Sequence, residues 1–185
     1  MSRRLNLPPS TTLAEAEAVM RPLVWEAEGV ICPLCRQHAQ VYKWSLYSTA
    51  AHALILLLKL GGRDKPIHTK EIKKLGHTGQ GDISRLRIWG LAEEERVRRP
   101  DDGRAGFWWI TGKGEDFAHN RTTLPKHAWV YDTRVMRYEG DPVTIKDALG
   151  TKFDYRKLMD GTWGDETDQT DHDDDAGGGD EDDEE

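Results

Sequence analysis

The chain has 185 residues, 37% of them hydrophobic, with 33 acidic and 26 basic side chains and a formal net charge of −7. That is room for one domain with appendages or two very small ones. The charge is unevenly laid down. Of the 33 acids, 14 fall in Asp160–Glu185, which contains no Lys or Arg, leaving 19 acids against all 26 basic residues, a formal +7, in residues 1–159. The longest purely apolar run, Ala53–Leu58, is far short of the ~18–20 residues that cross a membrane. Asn6, Pro8 and Pro9 follow Arg3-Arg4 where a signal peptide needs apolar residues, so a cytoplasmic setting with no membrane partner is expected.

In chain order, Thr12-Leu-Ala-Glu15 is a capping box opening an Ala-rich helix that Pro22 is expected to end. Leu23–Cys32 reads as a strand into the turn Cys32-Pro-Leu-Cys35, and Val41–Trp44 as a short extended piece. Ser45 is placed to cap a helix running to about Leu60, stopped by Gly61-Gly62. Its run of Ala and Leu is apolar nearly all round, which makes it the central buried helix. Ile67 precedes Thr69, an expected N-cap for a short helix Lys70–Leu75 closed by Gly76. Asp82 is the expected cap of a second helix, Ile83–Trp89, closed by Gly90. A strand begins at Leu91-Ala92-Glu93, residues 102–106 make a turn, and Phe107–Ile110 returns as a strand. Thr111 is placed to cap the next helix, which holds Glu115 and Phe117.

The segments Asp82-Ile-Ser-Arg-Leu-Arg-Ile-Trp-Gly-Leu91 and Gly106-Phe-Trp-Trp-Ile-Thr-Gly-Lys-Gly114 resemble the recognition helix, wing and post-wing helix of winged helix-turn-helix DNA-binding proteins. The similarity spans about residues 45–120. The whole chain also resembles uncharacterised phage-encoded proteins in which a CPxC turn precedes such a domain. The expected fold class is therefore α+β: an N-terminal helix and CxxC turn (1–44), a winged helix-turn-helix (45–120), a C-terminal hairpin with short helices packed on the core (121–159), and a disordered acidic tail (160–185). The tail has almost no apolar side chains with which to offset its ordering entropy.

The resemblance implies a double-stranded DNA partner and a transcriptional or phage regulatory role in a bacterial host, without enzymatic activity. On a helix begun at Asp82, residues Ile83, Leu86 and Trp89 share one face and should pack on the core. Ser84 and Ile88 then point away, with Arg85 and Arg87 on the shoulders. Arginine pairs bidentately with guanine, serine reaches a phosphate or base edge, and Ile88 could meet a thymine methyl. Gln80 is a further candidate base reader. Arg96, Arg98, Arg99 and Arg104 of the wing are candidates for phosphate or minor-groove contact, and Thr69, Lys70, Lys73 and Lys74 for the backbone. The alternatives are a solvated charged surface, or a protein adaptor using the same scaffold. A third reading makes the acidic tail a mimic of DNA.

Cys32 and Cys35 have the spacing of a zinc knuckle, with His38 as candidate third ligand and His119 or His127 as candidate fourth. One structural zinc ion is the expected cofactor, with its ligand set incomplete in the sequence and the remaining ligands sought from histidine, carboxylate or another chain. Two reduced thiols packed near Trp44 are the plainer reading. Leu124–Tyr138 alternates as a hairpin around Asp132-Thr133, Thr144 caps a short helix ended by Gly150, and Phe153–Met159 reads as a small amphipathic helix. These last aromatics complete the core or form a homodimer contact; a host protein is the other candidate partner. No phosphate-binding Gly loop, HExxH or GxSxG is present, and no small-molecule substrate is evident.

Overall fold

The structure, a computed structural model, describes residues 3–77, 81–95 and 106–162. The acidic tail beyond Thr162 lies outside them. Among the described residues the architecture is mixed α and β, with seven α-helices and three small three-stranded sheets. No helix is long and apolar enough to cross a membrane.

The centre is α2 (Ser48–Lys59), whose residues Ala50–Leu57 are all buried. Its N-cap is Tyr47, not Ser45, and carries no side-chain cap bond. Ser45 instead ends strand β4 (Tyr42–Ser45), where its hydroxyl meets His127 Nδ1 at 2.8 Å. At the other end Gly61 takes φ +83° and Gly62 N–H returns to the Leu57 carbonyl, the left-handed exit that glycine allows. Burial of the Ala/Leu run drives this helix; capping contributes little.

Three short elements follow: β5 (Ile67–His68), α3 (Thr69–Lys74) and α4 (Asp82–Leu86), which tightens into a 3-10 turn over Arg87–Trp89. Then come β6 (Ala92–Glu94) and β7 (Phe107–Ile110), and the sheet order is β5-β7-β6, all antiparallel. The N-caps differ from expectation. His68 caps α3 by accepting the Lys70 N–H on its Nδ1, while Thr69 is already helical and gives its own N–H to the Gly106 carbonyl. Gly81, in the left-handed region, precedes α4, which leaves Asp82 inside the first turn.

Helix α5 (Gly112–Ala118) is capped by Thr111 as expected. Strands β8 (Leu124–Tyr131) and β9 (Arg134–Val143) form the hairpin, and Asp132 and Thr133 both take positive φ, the signature of a two-residue type I′ turn. Thr144 caps α6 (Ile145–Leu149) in a capping box with Asp147, and Asp154 caps α7 (Tyr155–Asp160). Strand β4 joins the hairpin in the order β4-β8-β9. One hydrophobic core thus runs from Leu46 to Leu158, and strand pairing crosses the expected boundaries at 44/45 and 120/121.

The N-terminal part stands apart from that core. Helix α1 (Leu13–Leu23) has its Thr12–Glu15 capping box and carries Pro22 in its last turn, ending one residue beyond it. Only Val30–Ile31 (β2) of the expected strand 23–32 is extended, paired with β1 (Arg3–Arg4) and β3 (His38–Ala39). Pro22 has no N–H to give to the Ala18 carbonyl and its ring crowds that carbonyl, which weakens the last turn, and the helix ends at Leu23. Leu23, Val30 and Ala39 make a separate small cluster.

Candidate nucleic-acid interface

Helices α3 and α4 enclose a groove of about 370 Å³ lined by Thr69, Lys73, His77, Gly81, Asp82, Ile83, Ser84 and Trp108. On α3, Ile72 is buried while Lys70, Lys73 and Lys74 are exposed. Lys74 is paired with Glu71 at 2.8 Å, an exposed helix pair worth little to stability. On α4 and its 3-10 turn, Ile83, Leu86 and Trp89 face the core as the periodicity requires, and Ser84 and Arg87 are exposed. The Ser84 hydroxyl donates to the Gly81 carbonyl at 2.6 Å. Gln80, Arg96, Arg98, Arg99 and Arg104 lie outside the described residues.

Two side chains of this face differ from expectation. Ile88 is buried, not outward, so it is not available to a thymine methyl. The helix tightens to 3-10 geometry at Arg87, which shifts the rotation per residue. Sheet β4-β8-β9 then covers the turn, with Tyr138 Oη donating to the Ile88 carbonyl at 2.7 Å. Arg85 is half-buried rather than free on a shoulder. Its guanidinium lies 5.1 Å from the Trp44 ring and 5.3 Å from the Tyr47 ring, and donates to Tyr47 Oη.

Tyr47 in turn donates to Asp82 Oδ1 at 2.5 Å. Burial, reinforced by the Asp82 carboxylate, pushes the Tyr47 hydroxyl up to about 12. Burial also raises the Asp82 carboxyl, but its polar neighbours His77, Tyr47 and Thr49 outweigh this and hold it below its ordinary value. His77 Nε2 lies 3.2 Å from Asp82 Oδ2, outside hydrogen-bonding geometry, with both side chains almost completely buried. The His77 ring packs on His52, 5.6 Å between centroids, and His52 stacks on Phe153 at 4.2 Å. Burial, helped by His77 and Lys152, pushes His52 down to about 4. A buried polar row therefore anchors the start of α4. Sequence periodicity gave no sign of it, because its members are scattered from Tyr47 to Phe153; the signal present was a histidine inside an otherwise apolar helix.

The two sequence motifs behind the resemblance meet in space. Gly90, at φ +70°, ends the 3-10 turn, and Thr111 Oγ1 donates to its carbonyl at 2.7 Å. Thr111 N–H bonds the Leu91 carbonyl, and a Cβ on Gly114 would overlap that same carbonyl. Lys113 Nζ donates to the Trp89 carbonyl at 2.8 Å. The "Gly-Leu" and "Thr-x-x-Gly" pieces are thus one backbone-to-backbone joint between α4 and α5, and glycine at 114 is a steric requirement.

The cysteines sit in the loop between β2 and β3, 3.5 Å apart and unbonded. The main chain at Cys35 and Leu34 holds the Cys32 thiol below its ordinary value. His38 does not join them: its Nε2 is 2.9 Å from the Glu28 carbonyl oxygen. His127 is held by Ser45, and His119 is exposed at the end of α5. Among the described residues no three His, Cys, Asp or Glu gather into a metal-binding set. Two sulfurs are half of what structural zinc takes.

No protein-family model, no curated protein and no solved structure matches this chain.

Proposed function

We propose that the chain binds double-stranded DNA through a winged helix-turn-helix, with α3 and α4 as the helix pair and β6–β7 as the wing. The element order α2, β5, α3, α4, β6, β7 and the sheet order β5-β7-β6 support this reading of the fold. The observation that carries the function is the outer face of the two helices. Lys73 and Ser84 line one groove, Lys70 and Arg87 are exposed on the same helices, and these three cations enter no ion pair among the described residues. A cationic, hydroxyl-bearing face of this kind suits phosphates flanking a major groove, with Arg87 and Ser84 nearest the bases. Such a protein would act as a transcriptional or phage regulatory factor in the cytoplasm of a bacterial host.

The test is fluorescence anisotropy of a mixed-sequence duplex across a salt series, with the full chain and with a chain ending at Thr162. Affinity should fall linearly with salt on a log–log plot, and Lys73→Ala with Arg87→Ala should weaken binding at least tenfold and flatten the slope by about two phosphates. Absence of binding by either chain at low salt would overturn the reading. The adaptor alternative draws on Tyr42, Met136 and Tyr138 of the β4-β8-β9 sheet, which are 48%, 51% and 46% exposed; it gains if DNA fails and pull-downs depend on these residues.

A further inference from the structure

The Cys32–Cys35 turn has the preparation of a metal site and half of its donors. Two sulfurs on one tetrahedral zinc, each at about 2.3 Å, stand about 3.8 Å apart; here the cysteines lie 3.5 Å apart without being bonded. The loop is locked at both ends: Cys32 N–H bonds the Gln37 carbonyl at 2.8 Å, and Arg36 N–H bonds the Cys32 carbonyl at 2.9 Å. Arg36 takes φ +63° to close it.

What the chain does not bring is the other half. His38 is turned to the Glu28 carbonyl, and no third donor stands with the sulfurs among the described residues. The turn is also outward-facing. Cys35 is exposed, and Leu34, which with Pro33 separates the two cysteines, is 68% exposed. An apolar side chain at the tip of an open two-thiolate turn suits apposition to a surface of the same kind.

We propose that Cys32 and Cys35 form half of a site for a soft divalent cation, completed by the same two cysteines of a second copy of this chain. One Zn²⁺ then ties two chains through four thiolates about a two-fold axis. Each thiol gives its proton to solvent on binding, four protons for each zinc, and no oxidant or reductant is required. The inference is independent of DNA binding. If DNA binding holds as well, the tie would pair two copies of α4 and favour two-fold symmetric sites.

The test uses the full chain, stripped of metal and kept reduced, titrated with Co²⁺ and then Zn²⁺. Uptake should end at one ion per two chains, with the absorption bands of a tetrahedral tetrathiolate cobalt centre. Light scattering should show the mass doubling on Zn²⁺ addition and returning on chelation, and Cys35→Ser should abolish both signals. The acidic residues after Thr162 are unchanged in that variant, so any carboxylate binding by them appears as a common background. One ion per chain with the mass unchanged would overturn the proposal in favour of ligands within one chain. So would a dimer indifferent to chelation, or uptake that Cys35→Ser does not reduce.

Discussion

Two arginines of this protein lie against pairs of aromatic rings, and they serve opposite faces of the same sheet. Arg137 lies 5.0 Å from both Trp25 and Trp129, with Lys43 over Trp129 at 5.4 Å. Glu139 gathers this group, meeting Lys43 and Trp129 Nε1 at 2.8 Å each. The cluster is roughly half exposed, and it fastens the loop after α1 to the outer face of β4-β8-β9. Arg85 packs on Trp44 and Tyr47 on the other side, and behind it stands the almost fully buried pair Asp82 and His77. The outer cluster is wet, screened and satisfied; the inner one runs from half-buried Arg85 and Tyr47 to a dry pair, Asp82 and His77, with two polar atoms without a hydrogen bond. Similar residue types should therefore differ greatly in energetic weight, because an interaction gains strength, and its loss gains cost, as water is excluded.

The sharpest break of that contrast is Asp82→Ala. It removes the acceptor of the Tyr47 hydroxyl and the carboxylate that faces the buried His77, and should cost about 1–3 kcal/mol in urea unfolding. A loss below 1 kcal/mol would put the inner cluster on a level with the outer one.

The next effect is in pH. His52 has its folded pKa lowered to about 4 by burial, with His77 and Lys152 adding to it, against about 6.5 unfolded. The unfolded chain therefore takes up the proton first. The stability tied to neutral His52 is complete above about pH 6.5 and drains away as pH falls toward 4, by about 3 kcal/mol in all. Thermal unfolding between pH 7 and 4.5 should show this slope, and His52→Gln should flatten it. Asp82 faces His77, which packs on His52; with its carboxyl held below the ordinary value it adds its own loss only at still lower pH. An unaltered slope in His52→Gln would assign the acid sensitivity elsewhere.

The smallest effect belongs to the outer cluster. Trp25→Ala removes one side of the Arg137 stack and should cost about 1 kcal/mol. That loss should be local: exchange of the Val41 amide, which bonds the Val24 carbonyl at 2.6 Å, should quicken while amides of α2 keep their protection. Uniform loss of protection would show the N-terminal unit to be part of the main cooperative core.

Much of the local structure was legible because its causes are local. The capping box at Thr12, the caps at Thr144 and Thr111, the buried run of α2 and the turn at Asp132-Thr133 each depend on residues within a few positions of one another. The same holds for the core face Ile83, Leu86 and Trp89 of α4. Errors gathered where a distant partner intervenes. Ser45 has the chemistry of a cap, yet His127 draws it into a strand pairing. Thr69 yields the cap to His68 because the Gly106 carbonyl takes its amide. Ile88 has an outward phase on an ideal helix, and the β9 strand covers it.

The candidate face divides along the same line. The order of residues alone makes 1–159 basic, sets the cysteines at chelating spacing, and puts Lys70, Lys73, Ser84 and Arg87 on two short helices beside a hairpin. Composition and short-range spacing suffice for such properties. Folding is what occupies Arg85 with Trp44 and Tyr47, buries Asp82 beside His77, and turns His38 away from the cysteines. Those outcomes depend on which side chains are brought together across dozens of residues and shut away from water. Local propensity has no access to either condition, because burial and charge pairing exist only once the chain has closed on itself.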